Sequence, residues 1–352
     1  MAITGIRRLV FKVEDLDYCA RFFTDYGLRP VGAKTDTGAR FETMNGAEVL
    51  LLPAGHTGLP QGSAQTGIGV HECVWAVDTP AALEALCADL RRDHDLYADA
   101  EGVVHTITPF GQAIAFQVWQ PRPVFGAPSP SNTPGHIGRL NSPRKWLARA
   151  CPKRIHHVVW TFPDVQQALD YYRDRLGFRY ADHSKGVGIF ARADGTNEHH
   201  SIFWVNSDLP FAPDGHGFMH IAFGMDDIDE VMLGANIMEK KGWKNTSMNA
   251  SGGISRHRIS SAIYYYVDNP GGGEAEYHAD TDYLDDNWVP RAWDFKFGAL
   301  LWAHKVPPMF AGDDIPWTME FDADERSFAP FRKGPARQAA PQNFTSDDEH
   351  AI

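Results

Sequence analysis

The stretch RLVFKVEDLDYCARFFTDYGLRPV, residues 8–31, returns in altered form as HVVWTFPDVQQALDYYRDRLGFRYA, residues 157–181. Each copy opens on an alternating apolar segment that reads as a half-buried strand. An Asp follows, then a helical pattern with paired aromatics, then Gly and a second strand-like segment. Asp15 matches Asp164 and Phe22-Phe23 match Tyr171-Tyr172, at a constant offset of 149 residues. The same offset carries His71, in VHECVWAVD, onto His220, in MHIAFGMDD. Each of these segments again runs from a strand into a helical pattern. A repeat of this kind decides the architecture before any motif is weighed. It predicts four βα-type units, two per half, in which one helix packs on a short, strongly curved antiparallel sheet.

The bulk composition agrees with a globular α+β chain of two domains. There are 352 residues, 43% of them hydrophobic, more than one ordinary core accommodates. The formal net charge of -12 argues against nucleic acid or an anionic membrane as the main partner. The sequence has no apolar run long enough for a membrane span and no signal-peptide pattern at its start. Cys19, Cys73, Cys87 and Cys151 have no CxxC spacing and read as reduced thiols of a cytoplasmic protein. The expected division is an N-terminal domain over 1–125, a linker over 126–153 rich in Pro, Ser and Gly, and a second domain over 154–285. An aromatic extension over 286–330 is expected to pack on the body, and a tail over 331–352 to be disordered.

Three segments of the second domain carry metal-ligand types: IHHVVW with His157, GFMHIAF with His220, and GGEAEYHA with Glu276. Two neutral imidazoles and a carboxylate leave a divalent ion with an open face, the pattern of non-haem Fe(II) oxygen chemistry. Two choices are open within these segments. The repeat selects His157 over His156, whereas Glu274 is a rival to Glu276 because residues two apart share a strand face. The first half supplies a control. Its corresponding positions are Arg8, His71 and the region of Ala115 and Gln117, so it is not expected to hold metal, and His71 reads as structural.

Residues 255–278, SRHRISSAIYYYVDNPGGGEAEYH, resemble the signature of type I extradiol ring-cleaving (catechol) dioxygenases of the vicinal oxygen chelate superfamily. Ser255 and Tyr265 depart from the usual pattern at positions away from the chemistry. The resemblance covers about residues 5–285 and is strongest over 154–280. It implies two domains of paired βαβββ modules, each forming a funnel-like sheet. It selects Glu276 over Glu274, giving His157, His220 and Glu276 as ligands of Fe(II), with Mn(II) as the alternative ion. It further implies His200, the second His of EHHSIFW, as acid–base residue, and His257 and Tyr266 as hydrogen-bond donors to the substrate. The implied reaction opens the ring of a catecholic substrate with O2, in aromatic-compound degradation, by a homo-oligomeric enzyme.

Three other readings use the same fold. A hydroxyphenylpyruvate-type oxygenase has no need of the set His200, His257 and Tyr266. A ring-cleaving dioxygenase for para-diols such as hydroquinones keeps the same triad. A non-catalytic small-molecule binding protein does not need the triad at all. Arg256, Arg258 and Arg291 are candidates for pairing with a substrate carboxylate, with a solvated surface role as the default.

Overall fold

A computed structural model describes residues 3–210, 212, 215–247, 249–311 and 319–321. Four modules repeat the order strand, helix, three strands. The first is β1 (Ile3–Val13), α1 (Leu16–Tyr26), β2 (Arg29–Pro30), β3 (Ala39–Glu42) and β4 (Glu48–Pro53). The second is β5 (Gly69–Val77), α2 (Pro80–Leu90), β6 (Tyr97–Ala98), β7 (Val104–Ile107) and β8 (Ala113–Val118). The third is β9 (Arg154–Phe162), α3 (Val165–Leu176), β10 (Arg179–Ser184), β11 (Gly188–Arg192) and β12 (Ile202–Asn206). The fourth is β13 (Gly217–Gly224), α4 (Ile228–Lys240), β14 (Ser255–Arg256), β15 (Ile263–Asp268) and β16 (Glu274–Ala279).

The repeated residues have local duties. Asp15 and Asp164 are the N-caps of α1 and α3, each accepting a backbone N–H of the first turn. Gly27 and Gly177 close the same helices in the left-handed conformation.

Modules one and two form an eight-stranded sheet in the order β2-β3-β4-β1-β5-β8-β7-β6. Modules three and four form the core of an eleven-stranded sheet, and in each sheet the two modules join through their first strands, β1 with β5 and β9 with β13, antiparallel. Most neighbours are antiparallel, as the repeat predicts, but both sheets are mixed. In every module the first strand pairs with the last in parallel: β1 with β4, β5 with β8, β9 with β12 and β13 with β16. A helical crossover returns the chain in the same direction, which a short turn cannot do.

The extension adds β17 (Arg291–Trp293), α5 (Phe295–Ala299), β18 (Trp302–Ala303) and β19 (Met319–Phe321). β17 lies parallel to β10 and carries β19 beyond it, while β18 pairs with β14. The extension thus reaches both edges of the second sheet. Residues 312–318 and 322–330 and the tail 331–352 lie outside the described residues. Between β8 and β9 the chain is pinned to the start of α4 by Arg144–Asp229, by Lys145 Nζ–Asp226 Oδ2 at 3.0 Å and by Lys153 Nζ–Glu230 Oε2 at 2.8 Å.

Helices of both halves and the strand faces beneath them form one contiguous core. Tyr26 of α1 stacks on Tyr277 of β16 with ring centroids 4.0 Å apart, and the Tyr277 hydroxyl donates to the Tyr26 carbonyl at 2.9 Å. Trp75 of β5 meets Phe178 edge-on at 4.9 Å, and Phe11 of β1 meets Phe218 of β13 at 5.4 Å. The opposite face of each sheet has its own small cluster, Val74, Val103 and Ala115 in the first and Val159, Val187 and Val205 in the second. No described helix is long and apolar enough to cross a membrane.

Candidate metal centre

Strand alternation decides what faces the inner side of the second sheet. Val158, Trp160 and Phe162 of β9 enter the shared core, so His157 and Val159 face the other way. On β16, Ala275 and Tyr277 enter the core, which turns Glu274, Glu276 and His278 to the inner side. β13 contributes His220 beside them. Its pairing with β9 has a bulge at Met219, which re-aims the strand at the level where His220 points inward.

His157 Nε2, His220 Nε2 and Glu276 Oε2 converge. The two imidazole nitrogens are 3.1 Å apart, and the carboxylate oxygen lies 3.2 Å from the first and 3.3 Å from the second. Three donors held about 2.1–2.2 Å from one ion at mutual right angles are roughly 3.0–3.1 Å apart, so the observed triangle fits one face of an octahedron. All three residues are buried, and Glu276 Oε2 accepts no well-formed hydrogen bond among the described residues. A divalent cation held by these three residues would satisfy it. Burial alone would raise the Glu276 carboxyl, but His157, His220 and His278 around it hold it well below the usual range. Burial brings His157 down to about 3 against the pull of Glu276. His157 is therefore a bare imidazole and Glu276 a carboxylate, the protonation that metal binding requires of them.

Glu274 is committed elsewhere. It accepts from the Ser247 hydroxyl, from Asn249 Nδ2 at 2.9 Å and from the Ala250 amide at 3.0 Å, which ties down the loop before β14. The turn leading into β16 is tight. Gly273 has φ +61°, and a Cβ there would lie 2.1 Å from the Met219 carbonyl oxygen. Gly273→Ala is expected to cost at least ~1–3 kcal/mol and to lower metal affinity by prising β16 from β13. Thermal unfolding with and without Fe(II) measures both effects.

A cavity of about 140 Å³ adjoins the triad. His200, His257 and Tyr266 all line it, together with His278. The His200 ring lies 4.1 Å from that of His157. Burial, with the neighbouring His157 and His199 rings, holds His200 well below its ordinary pKa, so it is neutral at pH 7. His257 Nδ1 is 2.6 Å from the Ala299 carbonyl, and its ring stacks on Tyr264 at 3.8 Å. The Tyr266 ring lies 5.1 Å from that of His220.

The structure gives further residues at this site a part that the sequence did not assign them. His278 Nδ1 is 3.2 Å from Glu276 Oε1; its two-residue spacing from Glu276 was the available clue. His156 Nδ1 is 2.8 Å from His157 Nδ1, so the bond orients the ligand ring. His199 Nδ1 is 3.0 Å from His200 Nδ1, and His199 Nε2 is 3.2 Å from the buried Asp182 Oδ2. Asp182 also accepts from the Arg291 amide at 2.6 Å and from Trp293 Nε1 at 2.9 Å. A carboxylate on Nε2 of His199 leaves its Nδ1 bare, which makes His200 donate from Nδ1 and leaves His200 Nε2 as a base. No motif surrounds Asp182, and sequence gave no route to it.

The N-terminal sheet has no such triad. Arg8 pairs with Val74 as His157 pairs with Ala222, and Val74 pairs with Ala115 as Ala222 pairs with Glu276. Val10, however, pairs with Glu72 where Val159 pairs with His220. The expectation that His71 stands at the second ligand position is corrected: Glu72 does. His71 is the bulged residue, matching Met219, and its Nε2 bonds the Gly67 carbonyl at 3.0 Å. The first half has one residue more between β1 and the bulge than the second half has between β9 and its bulge, which shifts the match by one, and a one-residue slip exchanges the two faces of a strand. Arg8 is held by Glu48 and Glu101, each at 2.8 Å.

Buried neutral histidines make the metal-free protein acid-sensitive. Burial takes His257 down to about 4 and His183 down to about 2, from about 6.5 in the unfolded chain. Between those values the unfolded state binds protons that the folded state does not. Stability is thus fully present above pH ~6.5 and falls on acidification, by about 1.4 kcal/mol per pH unit for each such histidine. Urea midpoints of apoprotein at pH 7, 6 and 5 are expected to fall in that order.

Residues 154–270 match the model of the Glyoxalase/Bleomycin resistance protein/Dioxygenase superfamily. The chain is 33% identical over 218 residues to "Metapyrocatechase 2" of Cupriavidus necator, covering 61% of this chain and 64% of that one. It is 28% identical over 163 residues to the "Iron-dependent extradiol dioxygenase" of Rhodococcus jostii (strain RHA1), covering 43% and 50%. The matches therefore span less than two thirds of either relative. Among solved structures, homoprotocatechuate 2,3-dioxygenase from Arthrobacter globiformis superposes with a TM-score of 0.66 over 88% of this chain and 90% of that one, at 18% identity.

Proposed function

We propose that this chain, whose residues 154–270 form a domain of the Glyoxalase/Bleomycin resistance protein/Dioxygenase superfamily, is an Fe(II)-dependent extradiol dioxygenase. It opens the ring of a catechol beside the diol and incorporates both atoms of O2. The observation that carries this reading is the convergence of three donor atoms within 3.1–3.3 Å of one another beside a cavity that holds a neutral histidine. The names of the two curated relatives point the same way.

His157, His220 and Glu276 hold the ion, with Mn(II) accepted by the same donor set. When bound, Fe(II) supplies a Lewis acid that holds diol and O2 together and passes electron density between them. The chain supplies the rest. His200 Nε2 takes the proton that the diol loses on binding and returns it later. Its tautomer is set through His199 by Asp182. His257 and Tyr266 hydrogen-bond the diol oxygens, Tyr266 as the donor to those on which negative charge develops. His257 Nδ1 donates to the Ala299 carbonyl, so the neutral ring has a bare Nε2 that accepts from a diol hydroxyl rather than donating to it, which corrects the expectation for this residue. Val159, Val205, Phe190 and Phe203 exclude water from the space between. Four free thiols favour a cytoplasmic location, and a homo-oligomer is proposed on the family resemblance alone.

The test is anaerobic reconstitution with Fe(II), followed by air and a panel of catechols and hydroquinones. O2 uptake matched by a yellow ring-opened semialdehyde from catechols is the expected result. Turnover of hydroquinones alone moves the protein to para-diol cleavage, and a protein that binds no metal removes the reading.

A further inference from the structure

The cavity beside the triad is unbalanced in charge. Among the described residues its walls include no Lys, Arg or Asp. Glu276 is its one carboxylate, and that belongs to the triad. The remaining polar walls are histidines, tyrosines, the hydroxyls of Ser184 and Ser260, and the amide of Asn249. The three arginines that might have met a substrate carboxylate lie outside the cavity. Arg256 is paired with Asp280 at 2.8 Å, Arg258 lies over the Phe297 ring at 4.3 Å, and Arg291 over the Trp288 ring at 4.1 Å.

Much of the remaining wall is apolar. Phe190 and Phe203 stack face to face at 3.8 Å, and Phe295 and Phe310 from the extension meet at 5.5 Å. All four line the cavity. Its volume of about 140 Å³ is close to that of an engineered apolar cavity, ~150 Å³, that binds benzene. One ring with a short substituent fits; two rings do not.

Resting on the reading of the site as a catechol-cleaving centre, we infer that the substrate is a single-ring catechol whose substituent is short, uncharged and apolar, such as a methyl, ethyl or halogen group. Catechols that bear a carboxylate and biaryl diols are excluded. A carboxylate taken into this cavity would lose its water and meet no Lys or Arg among the described lining residues. It would also add a third anion to Glu276 and the ionised diol. A methyl group meets only ring and aliphatic carbon, and one methylene in such a pocket is worth roughly 10-fold or more in discrimination. Phe310 is part of the wall that the extension supplies, so it bounds the room left for a substituent.

The experiment uses the full chain loaded with Fe(II). Dissociation constants are measured anaerobically by difference absorbance for catechol, 4-methylcatechol, 4-ethylcatechol, 3,4-dihydroxybenzoate, 3,4-dihydroxyphenylacetate and 2,3-dihydroxybiphenyl, and kcat/KM in air for the same set. The expected order places the methyl and ethyl compounds about 10-fold tighter than catechol, and the carboxylated and biaryl compounds at least ~100-fold weaker than the methyl compound. Phe310→Ala is expected to gain at least ~10-fold for 2,3-dihydroxybiphenyl relative to 4-methylcatechol. Carboxylated or biaryl diols bound and cleaved as well as 4-methylcatechol would overturn this inference while leaving ring cleavage intact. Iron-loaded protein that binds and cleaves none of the six would overturn ring cleavage, and this inference with it.

Discussion

Glu276→Gln is expected to give a folded protein that binds Fe(II) at least ~100-fold more weakly, the upper range of what changes beyond the ligands themselves cost, and that has no measurable ring-cleaving activity. The substitution keeps size and hydrogen-bonding capacity but removes the charge. Glu276 Oε2 is the atom at which the two imidazole nitrogens converge, 3.2 and 3.3 Å away. It is also the one anionic group in the cavity wall among the described residues. Without it a divalent ion is left with two neutral donors in a buried site. The apoprotein also loses the stability that an ionised carboxylate held below its usual range by His157, His220 and His278 contributes at neutral pH, so it is expected to unfold at a lower temperature than the metal-free parent. Metal content after gel filtration and the unfolding midpoint of the apoprotein separate the two effects. Glu274→Gln serves as the paired control. It loosens the loop held through Ser247, Asn249 and Ala250 and leaves the metal in place. Loss of iron in Glu274→Gln with retention in Glu276→Gln would reverse the assignment.

His200→Phe is expected to retain one iron per chain and to slow turnover by roughly 10²–10⁴-fold, the usual contribution of a positioned acid–base group. The ring already packs beside Phe190, with centroids 4.9 Å apart, so a phenyl ring fits the space. What it lacks is a nitrogen facing the cavity. Because His200 is reached through His199 and Asp182, Asp182→Asn should show a smaller loss of the same kind, in kcat rather than in KM. Full activity in His200→Phe would remove His200 from the mechanism and, with it, the reason for the chain of bonds behind it.

The parts of the site legible in the sequence are those that repeat or alternate. His157 was separable from His156 because the duplicated strand fixes which residue aligns with Arg8, and strand alternation sends neighbours to opposite faces. The four modules were legible because Asp15 and Asp164 start helices at the same step of each copy. What was not legible depends on backbone detail or on distant partners. The path from β1 to β5 is one residue longer than that from β9 to β13 and leaves no mark in composition, so the constant offset placed His71 where Glu72 stands. The parallel first-to-last pairing arises from the helical crossover, which brings together strands far apart in the chain. Asp182 and His199 matter through contacts with Arg291 and Trp293, more than a hundred positions away from Asp182. The extension has no counterpart in the repeat, so nothing in the first half announced that Phe295, Ala299 and Phe310 would complete a cavity.

The single core shared by both halves sets the terms on which the two copies have diverged. A duplicated unit that folds alone can drift or be lost once its chemistry is redundant. Here the N-terminal copy cannot be discarded, because Tyr26, Trp75 and Phe11 form the other side of the core that supports Tyr277, Phe178 and Phe218. Its inner face has no such duty: Arg8, Glu72 and Ala115 stand there at the positions of His157, His220 and Glu276. The helix-bearing side of that half thus serves as a subunit interface that happens to be covalently joined. Fragments cut in the linker should accordingly recover function only when mixed, each acting as the other's folding partner.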